Sequence, residues 1–196
     1  STHLRNEYQY QDAQVYTNPV SKYVMDNLQS TRDGATMLEG NILYEPDHYF
    51  VKSAEFVKIT NAIDVDTLRT TSGDYYTAQS VVKTYYLQVN IKGAEYVSSA
   101  SGYLTGLAGS VYLSNGALNA QDESCIYFPL KSNHIAKRSE IAQAYTTFNT
   151  FGKLPHVEGY IDITFEFKTI YNTVQTETFR LTDMFDTPVV QEKQWI

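Results

Sequence analysis

The sequence predicts an all-β protein whose strands pair antiparallel in a sandwich or barrel, with one short helix in the N-terminal part. After about residue 80 the sequence reads as about seven short strand segments, and in the clearest of them apolar and polar residues alternate with a period of two. This alternation indicates strands that each turn one face to the core and one face to water. Short turn sequences separate the segments, and the 17 Tyr and 9 Phe residues favour the pleated surface of a sheet.

The N-terminal part of the chain is less regular. Pro19 precedes apolar residues at helical spacing, which predicts a short helix over Val20–Gln29. Ser30–Gly40 and most of Asn61–Tyr76 are polar and aperiodic, so we predict loops there. His48–Ile59 alternates imperfectly and is predicted as a strand.

Regular alternation begins near residue 77. We therefore predict a boundary between an N-terminal segment, residues 1–76, and a C-terminal β-sandwich, residues 77–196. Turn residues delimit the strands of this sandwich, with Lys131–Arg138 as a polar loop. The predicted strands are Val81–Ile91, Glu95–Leu104, Ser110–Leu113, Cys125–Leu130, Glu140–Phe151, Glu158–Ile170 and Val174–Thr182.

The clearest alternation is that of Glu158–Ile170. One face carries apolar residues, which we expect in the core: Ile161, Ile163, Phe165 and Phe167. The other face carries polar residues, which we expect to be exposed: Asp162, Thr164, Glu166 and Lys168. Tyr171-Asn172-Thr173 then predicts a hairpin turn into the last strand.

The stretch 98–116 is rich in glycine and other small residues. Gly106 and Gly109 predict a tight bend or bulge, because glycine adopts positive φ without strain. Asn115-Gly116 predicts a second turn. The small side chains of 98–102 leave room for bulky groups. These are either aromatic residues elsewhere in the sandwich, which we favour, or a foreign segment.

Composition and charge argue against nucleic-acid binding. The chain has 15 Lys and Arg against 22 Asp and Glu, a net charge of −7, and its densest basic cluster is Lys137-Arg138. Phosphate binding needs a concentrated basic face, so we predict no nucleic-acid partner. The single cysteine, Cys125, excludes an intrachain disulfide. It lies in an apolar segment and is predicted to be a buried structural thiol.

No motif predicts catalysis, so we predict that the protein is not an enzyme and has no catalytic, cofactor-binding or metal-binding residues. The four histidines share no metal-ligand spacing: His3, His48, His134 and His156. Three aspartates lack the remainder of a calcium-binding loop and are predicted to form a solvated acidic loop: Asp64, Asp66 and Asp74. The sequence contains no nucleophile elbow and no phosphate-binding loop.

Four short segments carry a family resemblance. In chain order they are Tyr86–Gly93 (YLQVNIKG), Gly102–Ser114 (GYLTGLAGSVYLS), Phe148–Gly152 (FNTFG) and Phe179–Phe185 (FRLTDMF). As an ordered set they resemble the FimB-like fimbrial anchor and accessory lipoproteins of Bacteroidales, from roughly residue 45 to the C-terminus. The matched segments are structural, so no functional residue is carried over from the family.

The resemblance implies a fold and a location. The family is built from transthyretin-like Greek-key sandwiches, usually two in tandem, so Tyr86–Phe185 is expected to form the C-terminal sandwich. Its members are exported outer-membrane lipoproteins attached through an N-terminal cysteine lipid. We expect residues 1–76 to be a truncated or divergent part of the first β-domain and the lipid anchor to lie upstream. The chain itself is expected to be soluble, because no apolar run approaches the ~20 residues of a membrane-spanning helix.

Two hypotheses for function follow. The first, implied by the resemblance, is a non-enzymatic cell-surface protein that serves as a fimbrial anchor, assembly or adhesion component and contacts fimbrial subunit proteins by strand pairing. The alternative is a carbohydrate-binding accessory module of a surface polysaccharide system, in which exposed Tyr rings stack on sugars. An exposed, coplanar pair of aromatic rings favours the alternative. A sheet edge with unpaired backbone groups beside an apolar groove favours strand pairing.

Overall fold

A computed structural model describes residues 2–6, 8–9, 11–19, 42–51, 78–130, 141–155 and 161–193. Within these residues the chain is mostly strand. The strands are β1 (Thr2–Arg5), β2 (Gln14–Thr17), β3 (Ile42–Tyr44), β4 (Phe50–Val51), β5 (Gln79–Ser80), β6 (Lys83–Lys92), β7 (Val97–Ala108), β8 (Ser110–Tyr112), β9 (Glu123–Leu130), β10 (Ile141–Thr150), β11 (Asp162–Thr169) and β12 (Val174–Arg180). The other elements are a 3-10 turn (Ala94–Tyr96) and two short helices, α1 (Thr182–Phe185) and α2 (Pro188–Lys193).

Two layers form a sandwich. One layer is a five-stranded sheet in the order β12-β11-β7-β9-β3, in which β3 runs parallel to β9 and the other pairs are antiparallel. The second layer is an antiparallel ribbon of β6 and β10. The ribbon packs on the sheet because alternate side chains of both layers are apolar and meet between them. The all-β sandwich predicted from the sequence is therefore confirmed.

Aromatic rings fill the centre of the core between the layers. Phe128 of β9 stacks on Phe148 of β10 with ring centroids 4.6 Å apart. The ring of Tyr85 in β6 lies 5.8 Å from Phe148 and 5.1 Å from Phe185 of α1. Gly102 of β7 leaves space for this packing, because a Cβ atom there would lie 2.7 Å from the Phe128 ring. The expectation that small residues in this stretch lie against aromatic side chains is confirmed at Gly102.

The chain turns where the sequence predicts turns. Gly106 has φ +73° at a register shift between β7 and β9, so the predicted bend is a bulge, and β7 continues beyond it to Ala108. Gly116 (φ +70°) lies in the turn after β8. Asn172 (φ +63°) lies in the hairpin turn that joins β11 to β12. Both turns are as predicted from the sequence.

The N-terminal strands pair with later strands of the chain. β1, β2 and β8 form a three-stranded sheet, β3 pairs with β9, and β4 pairs with β5. We did not predict β1, β2 or β3, because strands of three or four residues are too short to display a period. The division of the chain at residue 76 stays a prediction.

Several expectations fall on residues outside the described part: the helix Val20–Gln29 and the loops Ser30–Gly40, Asn61–Tyr76 and Lys131–Arg138. Within the described part of the predicted strand His48–Ile59, Phe50 and Val51 form β4. The two short helices near the C-terminus were not predicted. No helix in the described ranges is long and apolar enough to cross a membrane.

One expectation about β11 is wrong. Ile163 and Phe165 are buried on the core face, as predicted, but Thr164 and Glu166 on the opposite face are buried as well. Thr164 lies directly opposite Tyr103 of β7, whose side chain belongs to a second, smaller apolar cluster. Alternation shows which residues of one strand are polar. Whether those residues are buried also depends on bulky side chains of the neighbouring strands.

A hydrogen-bonded network joins β1 and β2 to the turn region around β8. The Arg5 guanidinium donates to the Asp122 carboxylate (2.7 Å), to the Ser110 hydroxyl (2.8 Å) and to the Gln14 amide oxygen (2.9 Å). Ser110 also donates to Asp122 (2.6 Å), and the Asn119 amide donates to Gln14 (3.2 Å). Charge-assisted bonds of this kind fix geometry more strongly than neutral ones. The network therefore has a structural role, which is to hold the N-terminal strands on the sandwich.

The Tyr85 hydroxyl gives the fold a pH dependence at alkaline pH. Burial raises the pKa of Tyr85 from 10.0 to about 12. The folded state therefore holds this proton more tightly than the unfolded state, so stability is full below pH 10 and falls as pH rises towards 12. Tyr85→Phe is expected to make denaturant unfolding less pH-dependent in this window. An unchanged pH dependence in the variant would show that Tyr85 ionises as readily in the fold as outside it.

Candidate functional site

Strand β12 forms one edge of the five-stranded sheet. In the described part of the chain it pairs with β11 alone. In β12, Val174 is half-buried and the six residues that follow it are all exposed. The residues of β6 and β10 instead alternate between buried and exposed, because one face of that ribbon packs on the sheet. The ribbon of β6 and β10 therefore covers the centre of the sheet and leaves β12 in contact with solvent on both faces.

The hydrogen bonds of the hairpin determine which backbone groups of β12 point away from β11. Thr169 N–H donates to the Thr173 carbonyl (2.8 Å), and Leu181 N–H donates to the Ile161 carbonyl (2.7 Å). The register between these two bonds has no shift, so odd-numbered residues of β12 point their N–H and C=O groups towards β11. The even-numbered residues point theirs away from β11. Val174, Thr176 and Thr178 define the free edge of β12, because no other described strand pairs with them.

The free edge carries only part of the usual protection against strand addition. Natural edge strands carry charged side chains, proline or a bulge, or are covered by other parts of the chain. The β12 sequence VQTETFR has the charged residues Glu177 and Arg180 but no proline or lysine, and its register with β11 is continuous. At the opposite edge of the sheet, Tyr44 N–H donates to the Asn18 carbonyl (3.0 Å) and Pro19 bridges to Leu43. That edge is covered by the chain itself, whereas β12 pairs with no described strand except β11.

An apolar strip runs beside the free edge on the core-facing side. Phe165 is buried, Phe167 is half-buried and Phe179 of β12 is 51% exposed. The Phe165 ring centroid lies 6.1 Å from each of the other two. A strand added to β12 would place alternate side chains next to Phe179. The site thus combines unpaired backbone groups with an adjacent apolar surface.

A second surface feature is an exposed aromatic pair. Tyr96, at the end of the 3-10 turn, is 49% exposed, and Tyr171, in the β11–β12 turn, is 72% exposed. Their ring centroids lie 6.4 Å apart and their planes differ by 28°. Sequence reasoning noted the abundance of tyrosine but did not single out these two, because only the pairing of β7 with β11 brings them together.

The structure also has an open cleft of about 520 Å³ between the β4–β5 pair and the ends of β6 and β10. Among its described lining residues, the ionisable ones are Lys83, Tyr85, Lys153 and Asp186. Lys153 is ion-paired with Asp186 at 2.6 Å. The lining also holds the Ser80 hydroxyl, which donates to the Val82 carbonyl at 2.8 Å.

The residues that sequence analysis weighed as metal ligands remain scattered or undescribed. His3 lies in β1, with its ring 5.7 Å from Tyr16. Asp64, Asp66 and Asp74 lie outside the described residues, as do His134 and His156. Among the residues that the structure describes, no three His, Cys, Asp or Glu side chains gather in a group that could hold a metal ion.

Cys125 lies in β9, on the outer face of the five-stranded sheet, and is buried in a cluster with Ile42 and Tyr103. We expect native protein to react slowly with a thiol reagent and unfolded protein to react fast, because burial shields the sulfur. The chain has one cysteine, so the labelling signal reports on Cys125 alone. Equally fast labelling of both states would mean that the thiol is accessible in the fold.

Two comparisons relate the chain to known proteins. The model of the family described as "Domain of unknown function (DUF5119)" matches residues 1–128. The fold is similar to the crystal structure of "a putative adhesin from Bacteroides ovatus", with a TM-score of 0.63 and 24% sequence identity. The alignment covers 94% of this chain and 62% of that chain, so this chain spans less than two thirds of the solved protein. No curated protein matches the sequence.

Proposed function

This chain belongs to the family described as Domain of unknown function (DUF5119), and we propose that it is a non-enzymatic cell-surface protein of the adhesion or fimbrial assembly type. It binds fimbrial subunit proteins by accepting an extended strand at the free edge of β12. The observation that carries the proposal is this edge, where the N–H and C=O groups of Val174, Thr176 and Thr178 point away from β11 beside an exposed phenylalanine, and no other described strand pairs with them.

The physical chemistry of strand addition suits this edge. An incoming strand satisfies the outward N–H and C=O groups of β12 and gains affinity from a row of backbone hydrogen bonds. Its alternate side chains supply specificity, because those on the core-facing side contact Phe179 while the others lie beside Thr176 and Thr178. The proposed partner is therefore a segment of β-favouring residues with an apolar side chain opposite Phe179.

Cell-surface location belongs to the same proposal. Two findings support it: the ordered segments that resemble the FimB-like lipoproteins, and the fold similarity to a Bacteroides ovatus protein that is itself described as an adhesin candidate. We propose that the protein is exported and held at the outer membrane through a lipid anchor upstream of this sequence. The role as a fimbrial anchor, rather than a general adhesin, rests on the resemblance.

Replacing Thr176 by proline tests the edge directly. Proline removes the outward N–H of this residue and places its ring where a partner strand must approach. In the free protein that N–H does not bond to β11, so the variant is expected to fold with little loss of stability. We expect capture of purified fimbrial subunits to weaken by at least about tenfold, because hydrogen bonds are lost and the ring blocks contact.

The matched control is Thr176→Val, which keeps the N–H and the β-branched shape and should bind within about twofold of wild type. Undiminished capture by Thr176→Pro, in a variant shown by thermal unfolding to be folded, would contradict strand addition at β12. Binding of glycans without any capture of fimbrial subunits would instead favour the carbohydrate-binding alternative.

A further inference from the structure

The pair of Tyr96 and Tyr171 is the strongest unassigned feature of the surface. Each ring is about half or more exposed, at 49% and 72%. The ring centroids are 6.4 Å apart and the planes 28° from parallel, which is the geometry of an offset-stacked pair. Because both rings remain exposed, a single ligand could contact the aromatic surface of both.

A β-bulge lies at the start of β7, beside Tyr96. The register between β11 and β7 shifts between Lys168 and Thr169. The Ser98 hydroxyl lies within hydrogen-bonding distance of the carbonyls of both residues, at 2.9 Å and 3.2 Å. Bulges increase local twist and re-aim the residues that follow. The extra residue is Ser98 of β7, so the bend falls at the start of β7, next to Tyr96, whose ring meets that of Tyr171 in the β11–β12 turn.

The turn itself is held by several hydrogen bonds. The Thr169 and Thr173 hydroxyls lie 2.7 Å apart, and Tyr171 N–H donates to the Thr169 hydroxyl at 3.2 Å. Ile170 N–H donates to the Tyr96 carbonyl at 2.8 Å, which ties the turn to the start of β7. Both tyrosine backbones are thus fixed by structure around them. A fixed aromatic pair loses little conformational freedom when it binds a ligand.

On the other side, Gly93 and Glu95 shape the surroundings of Tyr96. Gly93 adopts φ +74° and starts the 3-10 turn, and Tyr96 N–H donates to its carbonyl at 3.0 Å. Glu95 is half-buried, and its Oε2 atom is buried with no hydrogen-bond partner among the described residues. Buried polar atoms usually have a partner. Glu95 directly precedes Tyr96 in the chain, and its last torsion is broad, so this oxygen is the candidate acceptor for a ligand hydroxyl at the tyrosine pair.

We propose that Tyr96 and Tyr171 form a stacking platform for a pyranose ring of a glycan, with Glu95 accepting a hydrogen bond from a sugar hydroxyl. The C–H groups on one face of a pyranose carry partial positive charge and suit the negative face of a tyrosine ring. The apolar part of the patch is small, since it consists of these two rings and Ile170, and polar residues flank it in the chain. Such a patch fits one or two sugar rings better than a protein interface, which buries about 800 Å² per partner.

The proposal is tested with the full chain on an array of immobilised oligosaccharides, followed by isothermal titration with the soluble form of the tightest binder. We expect Tyr171→Ala and Tyr96→Ala each to weaken binding by about tenfold. Glu95→Gln is expected to weaken it by a smaller factor, because the amide still accepts a hydrogen bond through its oxygen.

The matched control is Tyr86→Ala, which removes an equally exposed tyrosine (48%) from the outer face of the β6–β10 ribbon. Its affinity should stay within about twofold of wild type. The proposal is overturned if the array shows no binding, or if Tyr86→Ala weakens binding as much as Tyr171→Ala. The capture experiment with fimbrial subunits measures binding at the edge of β12, whereas the glycan experiment measures binding at the tyrosine pair. Either proposal can therefore fail without the other.

Discussion

Replacing Phe128 by alanine is expected to lower the free energy of unfolding by about 3–5 kcal/mol. Phe128 is fully buried and stacks on Phe148 of the opposite layer at 4.6 Å between ring centroids. Its removal loses apolar burial and leaves a cavity between the two layers, which the surrounding strands cannot close because they are held by hydrogen bonds. Denaturant unfolding measures this loss. Phe179→Ala, at the exposed edge, should have a much smaller effect.

Gly102 provides a second test of the same contact. A Cβ atom at this position would lie 2.7 Å from the Phe128 ring and 3.3 Å from Phe165, so Gly102→Ala is expected to destabilise the wild-type protein by about 1–3 kcal/mol. In the Phe128→Ala background the clash with that ring is gone. The added methyl group should then be tolerated or stabilising. Simple additivity of the two changes would contradict the packing described for this pair.

Phe165→Ala is the second large effect, again about 3–5 kcal/mol in the free energy of unfolding. Phe165 is buried on the core face of β11, and its ring packs with Phe167 and Phe179. Thr164 is buried on the other face and its hydroxyl lies 3.0 Å from that of Thr178. Thr164→Ala is expected to cost about 1 kcal/mol, the usual contribution of one hydrogen bond. Equal losses from the two changes would show that the faces of β11 are wrongly assigned.

The alternation in β11 shows what a sequence pattern can and cannot predict. The period of two places Ile163 and Phe165 on one face because side chains of a strand alternate, and this holds in the structure. The same pattern suggested that Thr164 and Glu166 are exposed. Their burial depends on the residues beside them in the sheet, including Tyr103 of β7. The sequence of β11 alone does not show which distant strand pairs with it.

The candidate site was less predictable than the core. The last strand was predicted from its sequence. Its residues do not indicate that it lies at an edge of the sheet or that the β6–β10 ribbon leaves it uncovered. The tyrosine pair could not be predicted either, because it depends on the pairing of distant strands. Tyr96 precedes β7 and Tyr171 follows β11, so they meet only because these strands pair and a bulge turns the chain. Short strands such as β1 were missed because they are too brief to show a period.

Amide hydrogen exchange along β12, in the free protein and in complex with a fimbrial subunit, tests the proposed strand pairing most directly. In the free protein we expect Gln175, Glu177 and Phe179 amides to be protected, because they point towards β11. The amides of Thr176 and Thr178 face the open edge and should exchange fast. In the complex we predict that these two amides become protected. Fast exchange that persists at Thr176 and Thr178, with new protection elsewhere, would contradict strand addition at β12.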